Sequence, residues 1–140
     1  MKNNTEKLPG ERRLRIKSAP RIRQVFWCDY PNPEHTQKPE FYKTRPVVVL
    51  SRNSTLHGVV IVVPLSGKQQ TDERNTLKIR SPIDGDDCWV VCNHVHTVST
   101  RRLNPPSQVI PKVTEDDFEE IKEKVCNNLP LRPYDEEKDK

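Results

Sequence analysis

The sequence predicts a mainly β fold, a small and strongly bent barrel with one C-terminal helix packed on it. Two features carry that expectation. Short runs rich in β-branched and aromatic residues recur through the middle of the chain, separated by turns that contain proline or glycine. Only one segment, near the C-terminus, places its apolar residues at helical spacing.

The first strand is predicted over Ile22–Asp29, IRQVFWCD, and ends at the turn signal Tyr30-Pro31-Asn32-Pro33. A loop rich in Pro, Lys and Glu runs from there to Lys43. PVVVLS (Pro46–Ser51) and GVVIVVPL (Gly58–Leu65) are continuous apolar runs of the kind that form strands covered on both faces, the second closed by Pro64. Asn75–Arg80 alternates weakly, and Cys88–Val98, CWVVCNHVHTV, is the longest strand candidate. The helix is predicted over Thr114–Leu129. Thr114 and Asp117 form a capping box, acids fill the first turn, and Phe118, Ile121, Val125 and Leu129 share a face before Pro130 ends it.

With 140 residues the chain has room for one core. A mean hydropathy of −0.87 and 13 prolines are polar for a globular domain, and the polarity is concentrated at the ends. Residues 1–23 hold eight Lys/Arg against two acids, so residues 1–20 read as a disordered basic arm, and 130–140 as a polar tail, flanking a folded domain over 21–129. No apolar run is long enough to span a bilayer and the N-terminus lacks the apolar stretch of a signal peptide, which predicts a cytoplasmic protein without membrane attachment. The four cysteines, Cys28, Cys88, Cys92 and Cys126, form no compact disulfide pattern and are expected as thiols. The net charge of +4 is weighted to the front of the chain, away from the acidic helix, which suits an anionic partner at the basic end.

Chemistry concentrates in CNHVHTVSTRRL, residues 92–103. In a continuous strand, Val90, Cys92, His94 and His96 would share one face, with the two histidines about 7 Å apart. Three readings compete. A zinc site would use Cys92, His94 and His96, with Cys88 as a further candidate. But no second Cys/His pair lies at a suitable distance and there is no Cys-x-x-Cys motif, so neither metal nor cofactor is expected. A half-exposed strand would leave the histidines in water. A phosphodiester-cleaving site would use histidine for proton transfer and arginine for the charged phosphorane. That reading needs an arginine from elsewhere in the chain, and Arg45 in TRPVVVLS is a candidate, although it could instead pair with Asp29.

Arg45-Pro46 before a run ending Leu50-Ser51, then VVPLSGK (Val62–Lys68), then VCNHVHTVSTRRL (Val91–Leu103), resembles the PemK/MazF family of toxin–antitoxin ribonucleases in order and content. Phe26-Trp27-Cys28-Asp29 fits the family's first strand, and the likeness covers residues 21–129. The resemblance implies an SH3-like barrel, a homodimer, and metal-independent cleavage of single-stranded RNA to 2′,3′-cyclic phosphate and 5′-OH ends. It also implies a cognate antitoxin, whose acidic disordered segment would block the RNA groove. Arg45 falls at the catalytic arginine, and Ser66 falls where the family has threonine. His94 and His96 stand where a glutamine and a basic residue are usual, and one or the other would take over proton transfer. The expected RNA contacts are Lys43, Lys68, Asn93, Thr97, Arg101 and Arg102. Asn93 replaces a common aspartate and cannot accept a proton at neutral pH, which keeps open a rival reading of a non-catalytic binding protein on the same fold, like the family's gyrase inhibitors.

Overall fold

The computed structural model describes residues 12–30, 34, 37 and 43–129. The expected polar tail, the arm before residue 12, the Pro31–Pro33 part of the first turn, and most of the loop to Lys43 lie outside the described residues. Seven strands form one antiparallel sheet: β1 (Val25–Asp29), β2 (Thr44–Val49), β3 (Val59–Ser66), β4 (Thr76–Arg80), β5 (Asp87–Val91), β6 (His96–Ser99) and β7 (Leu103–Asn104). Their order is β4-β5-β3-β2-β1-β7, with β6 also on β3. The one helix, α1 (Glu115–Cys126), follows them. The sheet is barrel-like, though its edges are not joined.

Several boundaries move for identifiable reasons. β1 begins at Val25 because Arg23 takes a left-handed backbone, φ +75°, which breaks the extended chain. Pro64 does not close its strand. It forms the last pair with β2, to Val47, and the next residue pairs with Val90 of β5, so the missing N–H falls where β3 passes from one neighbour to the other. α1 stops short of Leu129, which is 61% exposed and has no core contact to extend the helix for. Its start is as expected: the Thr114 hydroxyl accepts from the Asp117 N–H, and Glu115, Asp116 and Asp117 sit at the positive end of the helix dipole.

The predicted Cys88–Val98 strand is two strands. β5 and β6 both pair with β3, but three steps along β3, from Leu65 back to Val62, are matched by six steps on the other side, from Val90 to His96. The surplus forms a turn in which the His94 N–H bonds the Val91 carbonyl at 3.1 Å. An odd surplus reverses the in–out alternation, so the expected single face of Cys92, His94 and His96 does not exist. Cys92 is buried in the core beside α1, whereas His96 lies opposite Val62, on the other side of the sheet.

Both faces of the sheet are covered, which explains the continuous apolar runs. One core holds Val25, Val48, Val63, Leu65 and Val90 with Phe118 and Ile121 of α1. The other holds Phe26, Cys28, Val47, Val49, Val60, Val62 and Leu103, together with Ile16. Ile16, expected within the disordered arm, is only 6% exposed, and its burial is worth about 1.5–3 kcal/mol. The segment from residue 12 to 20 is therefore part of the packed structure. Among the described residues, no helix is long and apolar enough to cross a membrane.

The thiols report on these cores. Burial pushes the Cys28 thiol up to about 12, and those of Cys88 and Cys92 to about 11, while Cys126 is exposed. A thiolate-specific reagent at pH 8 should titrate one thiol promptly in the native protein and all four after denaturation. More than one prompt equivalent would show that the cores are open.

Candidate active site

Strand register brings most of the predicted catalytic residues to one side of the sheet. Arg45 lies opposite Cys28, and directly opposed residues share a face, here the face of the Ile16 core. Tyr30, two residues beyond Cys28, continues that face, and its N–H bonds the Lys43 carbonyl at 3.1 Å. His96 lies opposite Val62, and Ser66 is in step with Val62 and Pro64 along β3. Arg45, Tyr30, Ser66 and His96 thus fall on the same face.

Curling of the sheet closes the distance between them. β1 and β6 are three ladder steps apart, about 14 Å in a flat sheet. Yet the Tyr30 hydroxyl and His96 Nε2 are 2.7 Å apart. The second ring nitrogen, Nδ1, is 2.7 Å from the His94 carbonyl. A carbonyl only accepts, so Nδ1 carries a proton, and in the neutral ring Nε2 is the acceptor of the Tyr30 O–H. Burial, and secondarily Cys28, push the Tyr30 hydroxyl well above its ordinary value, so it stays protonated as a donor. The charge of Arg45 acts on the same hydroxyl in the opposite direction, which sets Arg45 within electrostatic reach of the Tyr30–His96 pair. His94 is shifted below the ordinary imidazole value by burial first and by His96 second. It occupies the turn rather than a strand face, and it contributes its carbonyl to His96.

The remaining predicted residues are spread more widely. Ser66 is 4% exposed and its Oγ accepts from the Lys68 N–H at 3.2 Å, which ties Lys68 to the turn behind it. Lys43 is exposed and left-handed, φ +67°, at the entry to β2. Asn93 is exposed in the turn between β5 and β6. Thr97 lies opposite Ile61, and so on the face away from His96. Arg101 and Arg102 sit in a single 3₁₀ turn, Thr100–Arg102, with Arg102 donating to the Asp29 carbonyl at 3.1 Å and Arg101 to the Arg12 carbonyl at 2.9 Å.

Asp29 does not share a face with Arg45, because it lies opposite Thr44 while Arg45 lies opposite Cys28. Its carboxylate receives Arg12 at 3.1 Å, Arg15 at 3.0 Å, Thr44 at 2.9 Å and Asn104 at 3.2 Å. Burial alone would raise its pKa; the hydrogen bonds from Thr44, Arg15 and Asn104 and the charge of Arg12 prevail and lower it. For zinc, the separation of Cys92 from His96 removes the proposed ligand set, and among the described residues no group of three or more His, Cys, Asp or Glu is placed to hold a metal. Sequence reasoning missed Tyr30, which it read as a turn residue. The period-two step from Phe26 and Cys28 was the available signal. Arg12 and Arg15 carried no signal beyond charge.

The family model for PemK-like, MazF-like toxins of type II toxin–antitoxin systems matches residues 21–129. The fold is similar to the crystal structure of MazF from Deinococcus radiodurans, with a TM-score of 0.63, 16% identity, and coverage of 81% of this chain and 98% of that one. It is also similar to an endoribonuclease from a mycobacterial species in complex with its cognate antitoxin, with a TM-score of 0.59, 21% identity, and coverage of 81% and 99%. No curated protein matches significantly. With the family model spanning most of the length, on a sheet whose register gathers Arg45, Ser66 and His96, the chain belongs to the PemK-like, MazF-like toxins of type II toxin–antitoxin systems.

Proposed function

We propose that this toxin is a metal-independent endoribonuclease that cleaves single-stranded RNA in the cytoplasm. The observation that carries the reading is the Tyr30–His96 pair, 2.7 Å apart, within the field of Arg45. The RNA 2′-hydroxyl gives its proton to the Tyr30 oxygen as Tyr30 passes its own proton to His96 Nε2, so that no tyrosinate forms. The 2′-oxygen bonds to phosphorus, Arg45 and the Ser66 hydroxyl stabilise the charged non-bridging oxygens, and the P–O5′ bond breaks. The 5′-oxygen takes its proton from solvent, leaving 5′-OH and 2′,3′-cyclic phosphate ends. In this scheme the base is His96 acting through Tyr30. His94 serves by its main-chain carbonyl, and Asn93 is not needed as a base.

Two partners accompany the proposal. Related structures hold an antitoxin, and a basic site of this kind suits an acidic, disordered antitoxin segment that folds on binding. A second copy of the chain would complete the homodimer. The test is incubation of the protein with a long unstructured RNA in excess EDTA, with both ends of the products mapped. Discrete cuts bearing cyclic phosphate and 5′-OH are expected. No cuts at any dose would overturn the reading in favour of a non-catalytic binding protein.

A further inference from the structure

Three guanidinium groups gather on one residue at the end of β1. Arg12 Nη1 and Arg15 Nη1 lie 3.1 Å and 3.0 Å from the same Asp29 oxygen, and Arg102 holds the Asp29 carbonyl at 3.1 Å. Among the described residues, Asp29 is the only carboxylate bonded to them. Three like charges around one anion repel one another, and an arrangement of this kind is stabilised by a second anion. The cluster also has donors to offer. Arg15 makes both of its bonds, to Asp29 and to Asn104 at 2.7 Å, through Nη1, so Nη2 and Nε have no partner among the described residues.

The segment that carries Arg12 and Arg15 is fixed in place. Ile16 is buried in the core, and the Arg12 carbonyl is held by Arg101 at 2.9 Å. Burial of Ile16 argues against a detachable lid and for a permanent wall. Asp29 lies on the face away from Arg45, and the cluster reaches the candidate site at Cys28, which shares the face of Arg45. Arg102 and Arg12 both act electrostatically on the Cys28 thiol.

We propose that Arg12 and Arg15, which precede the domain shared with the family, bind backbone phosphates of the RNA beside Arg102 and so extend its track past the cleavage site. The proposal rests on the ribonuclease reading. An RNA strand is favoured over an acidic peptide because the chemistry at Tyr30 and Arg45 itself requires a phosphodiester next to this cluster.

The test is a binding titration across salt concentrations with labelled single-stranded RNA whose 2′-oxygens are methylated, which removes the nucleophile. In Arg12→Gln/Arg15→Gln the affinity should fall roughly tenfold, and the slope of log affinity on log salt should become shallower by about 0.7–1.4. Arg12→Lys/Arg15→Lys should keep most of the slope. In the unaltered protein, the same RNA should shield Arg12 and Arg15 from phenylglyoxal, a readout independent of how the variants fold. An unchanged slope in the glutamine variant, or equal modification with and without RNA, would overturn the proposal even while the protein cuts RNA. Shielding by polyglutamate but not by RNA would overturn it in favour of a peptide. A wild-type protein that neither binds nor cuts RNA would fail at the ribonuclease reading itself.

Discussion

Arg45→Ala is expected to lower the single-turnover rate of RNA cleavage by about 10³-fold, as removal of a group that stabilises transition-state charge does. The fold should survive, because Arg45 holds its place opposite Cys28 through the backbone ladder, and its side chain belongs to neither core. Circular dichroism and thermal unfolding beside the rate measurement would separate the two effects. Arg45→Lys should recover part of the rate, since it keeps the charge and loses the forked donor geometry. Cleavage at the wild-type rate in Arg45→Ala would remove the residue from the mechanism.

The second large effect is expected at His96. His96→Ala should cost about 10²–10⁴-fold, the range for loss of a general base. Tyr30→Phe keeps the ring, deletes the hydroxyl that links substrate to His96, and should cost about 10²-fold by the same reasoning. His94→Gln should be close to wild type, because the bond to His96 Nδ1 comes from the main-chain carbonyl, which glutamine retains. Single-turnover rates of the three variants on one RNA decide the matter. Full activity in His96→Ala with loss in His94→Gln would reverse the assigned roles.

The contrast between the two histidines marks what local pattern conveyed. Alternation along an assumed continuous strand placed His94 and His96 on one face for a reason that does not hold, yet the turn between β5 and β6 still brings His94 against His96. Thr97, expected as an RNA contact from the family resemblance, lies opposite Ile61 and so on the face away from His96, as alternation alone implies. Pro64 was read as a terminus from its missing N–H, but a proline is harmless where a strand changes neighbours, and neighbours are not visible in sequence. Ile16 was hidden because its alternation with Leu14 among basic residues spans too few positions to stand out as a buried segment.

By itself the sequence determined the things that depend on near neighbours: the short β-branched runs, the capped amphipathic helix, and the order of Arg45, Ser66 and the histidines along the chain. Local sterics, side-chain period and capping hydrogen bonds act within a few residues, so they can be read in line. The tertiary structure alone decided which of those residues meet. The three-residue slip beside β3 set the faces, sheet curvature joined Tyr30 to His96, and burial of Ile16 brought Arg12 and Arg15 to Asp29. Each of these is a contact between segments distant in the chain, fixed by strand pairing and by the area removed from water, and neither has a period in the sequence.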